Sequence, residues 1–341
     1  MPERYIFWIE ELGQEHCEIV GKKCGNLGEM AKIGLLVPPG FALSVEAYKD
    51  FMIQTNARRE IQDYLSQLSG EIETIEQFNQ ASGHIRQIVE SKEIPEAMKD
   101  TILSFYDGLC RRCDCIVAVS TRSAGPVSHP GQYETYLNVK GKTDLLEKIK
   151  KVWASSFNPR SLAFRKRKAL PLENDPIGVA VLKMVNARAA GVLFTADPNT
   201  GNLDKMILEA NWGLGESVVS GELMPDVYVL KKDSLEILEK KLGKKSKYVT
   251  CKELGVAEEE CPADLSGAFC LRDEEAKEIG KLGTLLENHF GVPQDVEWAI
   301  ERDLELPESI ILLQTRPAVI AQRKSPLDQV VDLMLNLYSK G

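Results

Sequence analysis

No stretch of this sequence approaches the roughly 18 to 20 consecutive apolar residues that a membrane helix needs. Apolar blocks such as residues 177–182 and 310–313 are far shorter. The opening Met1-Pro2-Glu3-Arg4 lacks the hydrophobic region of a secretory signal, so a cytoplasmic location is expected. A basic excess is missing too. With 42 Lys and Arg against 51 Asp and Glu, the net charge of -9 argues against a surface built to hold nucleic acid nonspecifically. An anionic ligand would have to be met by local cations. No Gly-x-x-x-x-Gly-Lys-Ser/Thr phosphate loop occurs. The eight cysteines, without a secretory context, read as reduced thiols. Cys110, Cys113 and Cys115 form the one tight cluster, but no companion Cys-x-x-Cys accompanies it, and bound zinc or iron is not expected.

What is present fits an ordinary globular chain, 43% hydrophobic and 27% charged. Its 341 residues suffice for two lobes with a cleft between them. Residues 5–9 predict a first strand, residues 25–33 a helix, and Ser44 a cap for a helix beginning at Val45. Three- and four-residue apolar spacings across 58–109 predict a helical layer, followed by strands at 116–119 and 133–139 and a helix at 144–156. Beyond Pro171 the chain turns strand-rich, at 177–185, 191–195, 206–210, 227–230, 294–300 and 310–314. A boundary near 172–176 therefore divides an N-terminal lobe, 1–175, from a C-terminal lobe, 176–323. The charged stretch 231–247 reads as a solvated hairpin or helix. Leu327, Val330, Val331, Met334 and Leu337 form an apolar stripe that predicts a last helix within 324–341, packed on its own lobe or on a partner.

Three segments carry candidate chemistry. Lys23 stands before the predicted helix in Gly21-Lys22-Lys23-Cys24-Gly25-Asn26-Leu27-Gly28, where glycines and a helix N-terminus suit an anion, although a plain surface lysine gives the same pattern. Arg122 follows an apolar run into Ser120-Thr121-Arg122-Ser123. It could grip phosphate oxygens or make a structural ion pair. In Asp295-Val296-Glu297-Trp298-Ala299-Ile300, strand alternation puts both acids on one face, and Gln314 and Arg316 end the apolar run 310–313. Carboxylate and amide oxygens suit Mg²⁺, and a hairpin with exposed polar residues is the bland alternative.

Together these segments resemble the N-terminal ATP-grasp region of phosphoenolpyruvate synthases and pyruvate phosphate dikinases, over residues 21–321. Further blocks carry the resemblance: Gly131-Gln132-Tyr133-Glu134-Thr135, Trp153-Ala154-Ser155-Ser156-Phe157, Gly191-Val192-Leu193-Phe194-Thr195-Ala196-Asp197-Pro198 and Asn211-Trp212-Gly213-Leu214-Gly215-Glu216. It implies an α+β, two-lobed ATP-grasp fold, helix-rich at the N-terminal side and strand-rich at the C-terminal side. It implies ATP and Mg²⁺ as cofactors. Lys23 and Arg122 match cations on the ATP phosphates, and Lys183, Met184 and Val185 match the hinge beside adenine. Glu297 and Gln314 match Mg²⁺ ligands supported by Asp295. Arg316 matches the arginine that steadies the transferring phosphoryl group, and Glu209 and Glu216 match acids near the nucleotide. The sequence departs from the family at Lys22, where a glycine is usual, at Leu182, where many members have glutamine, and in a shortened segment between Arg122 and Gly131.

Complete members add a mobile domain with a phosphorylatable histidine in a Thr-Ser-His context and a barrel for the second substrate. His16, His84, His129 and His289 have other contexts and are expected to be structural or exposed. The resemblance thus implies a phosphotransferase subunit, incomplete by itself. Its partner subunit would carry the histidine and the site for an organic acceptor of pyruvate or phenol type, as in phenylphosphate synthase. Two alternatives stand beside it: an ATP-sensing subunit without phosphoryl transfer, and a fragment of a longer phosphoenolpyruvate synthase.

Overall fold

The computed structural model describes residues 5–68, 72–125, 133–215, 218, 223–253 and 255–321. The expected last helix, Glu216, His129 and the pair Gly131-Gln132 lie outside these residues. In chain order the elements are β1 (Ile6–Trp8), α1 (Cys17–Val20), α2 (Lys22–Lys32), β2 (Gly40–Leu43), α3 (Val45–Gln54), α4 (Ala57–Gln67), α5 (Ile75–Ser91) and α6 (Glu96–Arg112). There follow β3 (Val119–Ala124), β4 (Thr135–Val139), α7 (Lys142–Ser155), α8 (Pro159–Arg167), β5 (Gly178–Lys183), β6 (Ala187–Phe194), β7 (Lys205–Trp212), β8 (Asp226–Lys231) and β9 (Ile237–Lys241). The described chain ends with β10 (Lys247–Cys251), β11 (Val256–Glu260), α9 (Ala263–Ser266), α10 (Asp273–Phe290), β12 (Gln294–Glu301) and β13 (Ile310–Pro317).

These make an α+β molecule with two main antiparallel sheets. The first has the order β1-β2-β5-β3-β4 and the second β13-β12-β6-β7-β8-β9. Alternation sorts the first sheet's faces. Phe41, Leu43, Val119, Val179 and Val181 bury against the helical layer together with Ile85, Ile102 and Trp153. Ala42, Ala124, Ala180 and Leu182 join a second core shared with α2 and one face of the second sheet. The predicted helical layer is present as α4, α5 and α6, and Ser44 does cap α3 by accepting from the Ala47 amide.

Three expectations need correction. The strand expected at 116–119 starts only at Val119 and runs to Ala124, so Arg122 lies inside it instead of in a turn beyond it. Ile116 is exposed, and the small hydroxyls of Ser120, Thr121 and Ser123 fit the strand interior. Helix α2 begins at Lys22, so Lys23 belongs to its first turn. Finally, β5 pairs with β2 and β3. The chain therefore crosses between sheets at residues 184–186, later than the boundary expected at 172–176, because the Gly178–Lys183 run is apolar enough to be buried between two strands of the first sheet.

The stretch 231–247 forms the expected solvated hairpin edge at β9. It also holds a residue that composition hides. Lys245 and Asp226 pair with no exposed side-chain surface on either. Asp226 also accepts from the Gly243 amide at 2.8 Å and the Cys270 amide at 2.8 Å. Removing one member of such a pair strands a charge, so Lys245→Met is expected to destabilise the protein by about 3 to 5 kcal/mol. Denaturant unfolding checks this, and a midpoint within error of the parent would show that the pair contributes nothing.

Candidate nucleotide and metal site

Glycine sets the approach of the two sheets' site elements. Gly21 has φ +82°, and a Cβ there would stand 2.4 Å from the Ala124 carbonyl carbon. Only glycine lets α2 start against the end of β3. The Lys22 amide donates to Gly125 O at 3.2 Å, Lys22 points outward, and Lys23 is half-buried beside Arg122. Of the two lysines, Lys23 is therefore the one that stands at Arg122. The other glycines of the motif serve packing: a Cβ on Gly25 would meet Cys17 Sγ at 2.5 Å, and one on Gly28 would meet Leu12 O at 2.5 Å.

On the second sheet, strand register assembles the polar groups. Glu297 is directly opposite Gln314 and Asp295 opposite Arg316. On its other side Glu297 pairs with Val192, which in turn pairs with Glu209. Cross-strand partners share a face, so Glu209, Asp295, Glu297, Gln314 and Arg316 all rise from one side. Val296, Trp298 and Ile300 point the other way into the core, as alternation predicts. Next along the same face, Val185, Ala187, Ala190 and Ala299 form a small apolar patch with Leu214 and Ile311 against it. Val185 of the expected hinge lies in that patch. Lys183 is exposed and Met184 half-buried, and their amides donate to Pro39 O and Ala118 O, both at 2.9 Å. Leu182 is buried in the second core, so its side chain does not line the hinge.

The sheets meet through Arg122, whose Nη2 donates to Glu297 Oε2 at 2.9 Å. Arg316 Nε donates to Asp295 Oδ2 at 2.8 Å, and its Nη2 lies 2.6 Å from the same oxygen in an ion pair. Among the described residues Lys23 makes no ion pair. Burial, then the neighbouring Arg122 charge, pushes its ammonium down to about 8, against the opposing pull of Glu297. Burial works to raise Glu297, but Arg122, Lys23 and Arg316 outweigh it and hold the carboxyl below its usual range. Burial raises Asp295 despite Arg316, and burial with the Asp295 charge raises Glu209.

Two buried polar atoms here have no partner: Gln314 Oε1 and Arg122 Nε. A buried acceptor without a donor costs about 1 to 3 kcal/mol, so an oxygen left bare beside a carboxylate fits a hard cation. Gln314 Oε1 beside the Glu297 carboxylate suits Mg²⁺ in this respect, while Glu297 is engaged by Arg122 and Asp295 by Arg316. The described residues hold no convergence of three His, Cys, Asp or Glu groups. In the cysteine cluster, Cys110 Sγ accepts from the Val117 amide and Cys115 is exposed. His16 accepts from the Gly13 amide, His84 stacks on Tyr64, and His289 meets Glu29. Asn26 is a residue that sequence reasoning passed over. Its Nδ2 donates to Thr315 O at 2.9 Å, and the three-residue spacing from Lys23 on one helix was the available signal.

Residues 17–336 match the family described as pyruvate phosphate dikinase, AMP/ATP-binding domain. The chain is 36% identical to a probable phosphoenolpyruvate synthase of Methanocaldococcus jannaschii, over 99% of this chain and 29% of that one. It is 35% identical to the phosphoenolpyruvate synthase of Aeropyrum pernix, over 95% of this chain and 43% of the relative. A probable phosphoenolpyruvate synthase of Archaeoglobus fulgidus is 36% identical over 94% and 42% respectively. The chain thus spans less than half the length of these relatives. With a match over nearly its whole length, the chain belongs to the pyruvate phosphate dikinase AMP/ATP-binding domain family, and its α+β fold is of the ATP-grasp type.

Proposed function

We propose that this chain is the nucleotide-binding, phosphoryl-donating part of a phosphotransferase of the phosphoenolpyruvate synthase type. A partner subunit would carry the phosphorylatable histidine and the acceptor site, of pyruvate or phenol type, the latter as in phenylphosphate synthase. The observation that carries the reading is the convergence of Lys23, Arg122 and Arg316 from three elements on Glu297 and the unpartnered oxygen of Gln314. Phosphoryl transfer needs chiefly positioning and neutralised charge, which such a set supplies.

In this reading the adenine lies on the apolar patch beside Lys183, Met184 and Val185, and the phosphates lie between the sheets. Lys23 and Arg122 bind phosphate oxygens, so Arg122 must exchange Glu297 for the nucleotide. That exchange frees the Glu297 carboxylate, which with Gln314 Oε1 would hold Mg²⁺, with Asp295 beside them. The ion would neutralise phosphate charge and orient the group to be transferred. Arg316, braced by Asp295, faces the charge that spreads during transfer. Glu209 supplies an acid on the same face of the sheet, and Glu216 is assigned to the nucleotide by the family resemblance alone.

Lys23 makes the reading testable by pH. A bound phosphate favours the ammonium, so the complex holds that proton more tightly than the free protein, whose Lys23 titrates at about 8. Binding therefore takes up a proton above that pH, and affinity for Mg-ATP falls as pH rises. Calorimetry across roughly pH 7 to 9 is expected to show a loss approaching tenfold per unit on the alkaline side. Lys23→Arg, which stays charged, is expected to flatten the decline. Absence of Mg-ATP binding at neutral pH would sink the reading. An unchanged slope in Lys23→Arg would remove Lys23 from the phosphate site.

A further inference from the structure

We propose that Asn26 is a positioning residue that sets where the Lys23 ammonium stands relative to Gln314 and Arg316. This rests on the nucleotide site proposed above. Lys23 and Asn26 lie one turn apart on α2 and so share a face of the helix. Asn26 Nδ2 donates at 2.9 Å to the carbonyl of Thr315, the residue between Gln314 and Arg316. A carbonyl accepts only from the amide nitrogen, which fixes the orientation of the carboxamide. One side chain thus ties the helix carrying one phosphate cation to the strand carrying the other.

The tie acts at a place where the sheet needs it. Among the described residues, strand β13 is the edge of its sheet, with β12 as its only strand neighbour. Its outward backbone groups therefore need partners from elsewhere. The segment of α2 and the turn after it supplies two: Leu36 O accepts from the Leu312 amide at 2.8 Å, and Asn26 donates to Thr315 O. On its other side α2 has no slack, because Gly25 and Gly28 sit against Cys17 and Leu12 with no room for a Cβ. Charge around Lys23 is mixed: Arg122 and Arg316 repel its ammonium and Glu297 attracts it, so electrostatics alone do not fix where it stands. Asn26 adds a neutral, directional bond between the helix and β13, and a misplacement of about 1 Å at a reacting group can cost on the order of a hundredfold in rate.

A double-mutant cycle on the full chain separates positioning from general support. Mg-ATP affinity is measured by calorimetry for the parent, Asn26→Ala, Lys23→Ala and the double variant. If Asn26 acts through Lys23, Asn26→Ala weakens binding about five- to tenfold in the parent but less than about twofold once Lys23 is gone. Should Asn26→Ala not fold, Asn26→Ser, which keeps a shorter donor, takes its place in the same cycle. Equal weakening in both backgrounds, or none in either, would overturn the proposal. If Lys23→Ala itself leaves Mg-ATP affinity unchanged, Lys23 leaves the phosphate site and the role of Asn26 fails with it, whereas absence of Mg-ATP binding in the parent sinks the nucleotide site reading itself.

Discussion

Glu297→Ala is expected to abolish Mg²⁺-dependent nucleotide turnover, with a loss of at least about a hundredfold, in a protein that still folds. The carboxylate rises from the polar face of β12, while the buried Val296, Trp298 and Ile300 on the reverse face keep the strand in the core. What the variant does to stability follows from Arg122. That guanidinium already has an unpartnered Nε, and it would lose its Glu297 acceptor as well. The pair is neither open to solvent nor fully buried, so the cost falls between the about 1 kcal/mol of exposed pairs and the about 3 of buried ones. Glu297→Gln separates the two effects. It keeps an oxygen for Arg122 and the shape of the side chain but not the charge that holds a cation. Turnover is expected to fall in both variants, while the melting temperature falls mainly in the alanine form. Full turnover in either folded variant would rule Glu297 out as a metal ligand.

Alternation made one face of the site legible in advance. In a strand whose every second residue is apolar, Asp295 and Glu297 can only share the other side. Legibility stopped where pairing across strands begins. That Gln314 stands opposite Glu297, with a register shift immediately after, depends on how β13 lies against β12, and no local pattern encodes it. Arg122 illustrates a different limit. Ser120, Thr121 and Ser123 resemble a turn by composition, yet they form a strand because β4 and β5 flank them on both sides. Tertiary context overrode local preference there.

The glycines of the Lys23 motif failed in the opposite direction. Their spacing fits a phosphate-cradling loop, but two of them lie inside α2 and pack against residues 12–17, and only Gly21 needs a left-handed backbone. Gly21 does bring Lys23 next to Arg122, for a reason of packing. Lys245 was illegible altogether. A lysine in a run of lysines reads as solvated, and its burial follows from Asp226, nineteen positions earlier in sequence and brought next to it by the hairpin after β8.

Arg316→Ala is expected to slow phosphoryl transfer to the partner's histidine by about 10² to 10³-fold while changing Mg-ATP affinity only a few-fold. A cation aimed at charge that develops during transfer acts on the transition state, and the ground-state phosphates still have Lys23 and Arg122. Its geometry fits that role: Nε and Nη2 both meet one oxygen of Asp295, which braces the guanidinium, and its side chain remains 41% exposed. Loss of Arg316 also leaves little stray charge behind. Burial already raises the Asp295 carboxyl, and without the arginine that opposed it the group takes up a proton more readily. With ATP labelled on the β- or γ-phosphate, the isolated chain is expected to bind nucleotide and retain no acid-labile label. Adding the histidine-bearing subunit should move the label onto that subunit, rapidly for the parent and slowly for Arg316→Ala. Equal losses in affinity and transfer rate would make Arg316 a simple phosphate anchor. If the isolated chain phosphorylated a small acceptor at full rate, donor and acceptor functions would reside in one polypeptide, and the divided enzyme would be the wrong description.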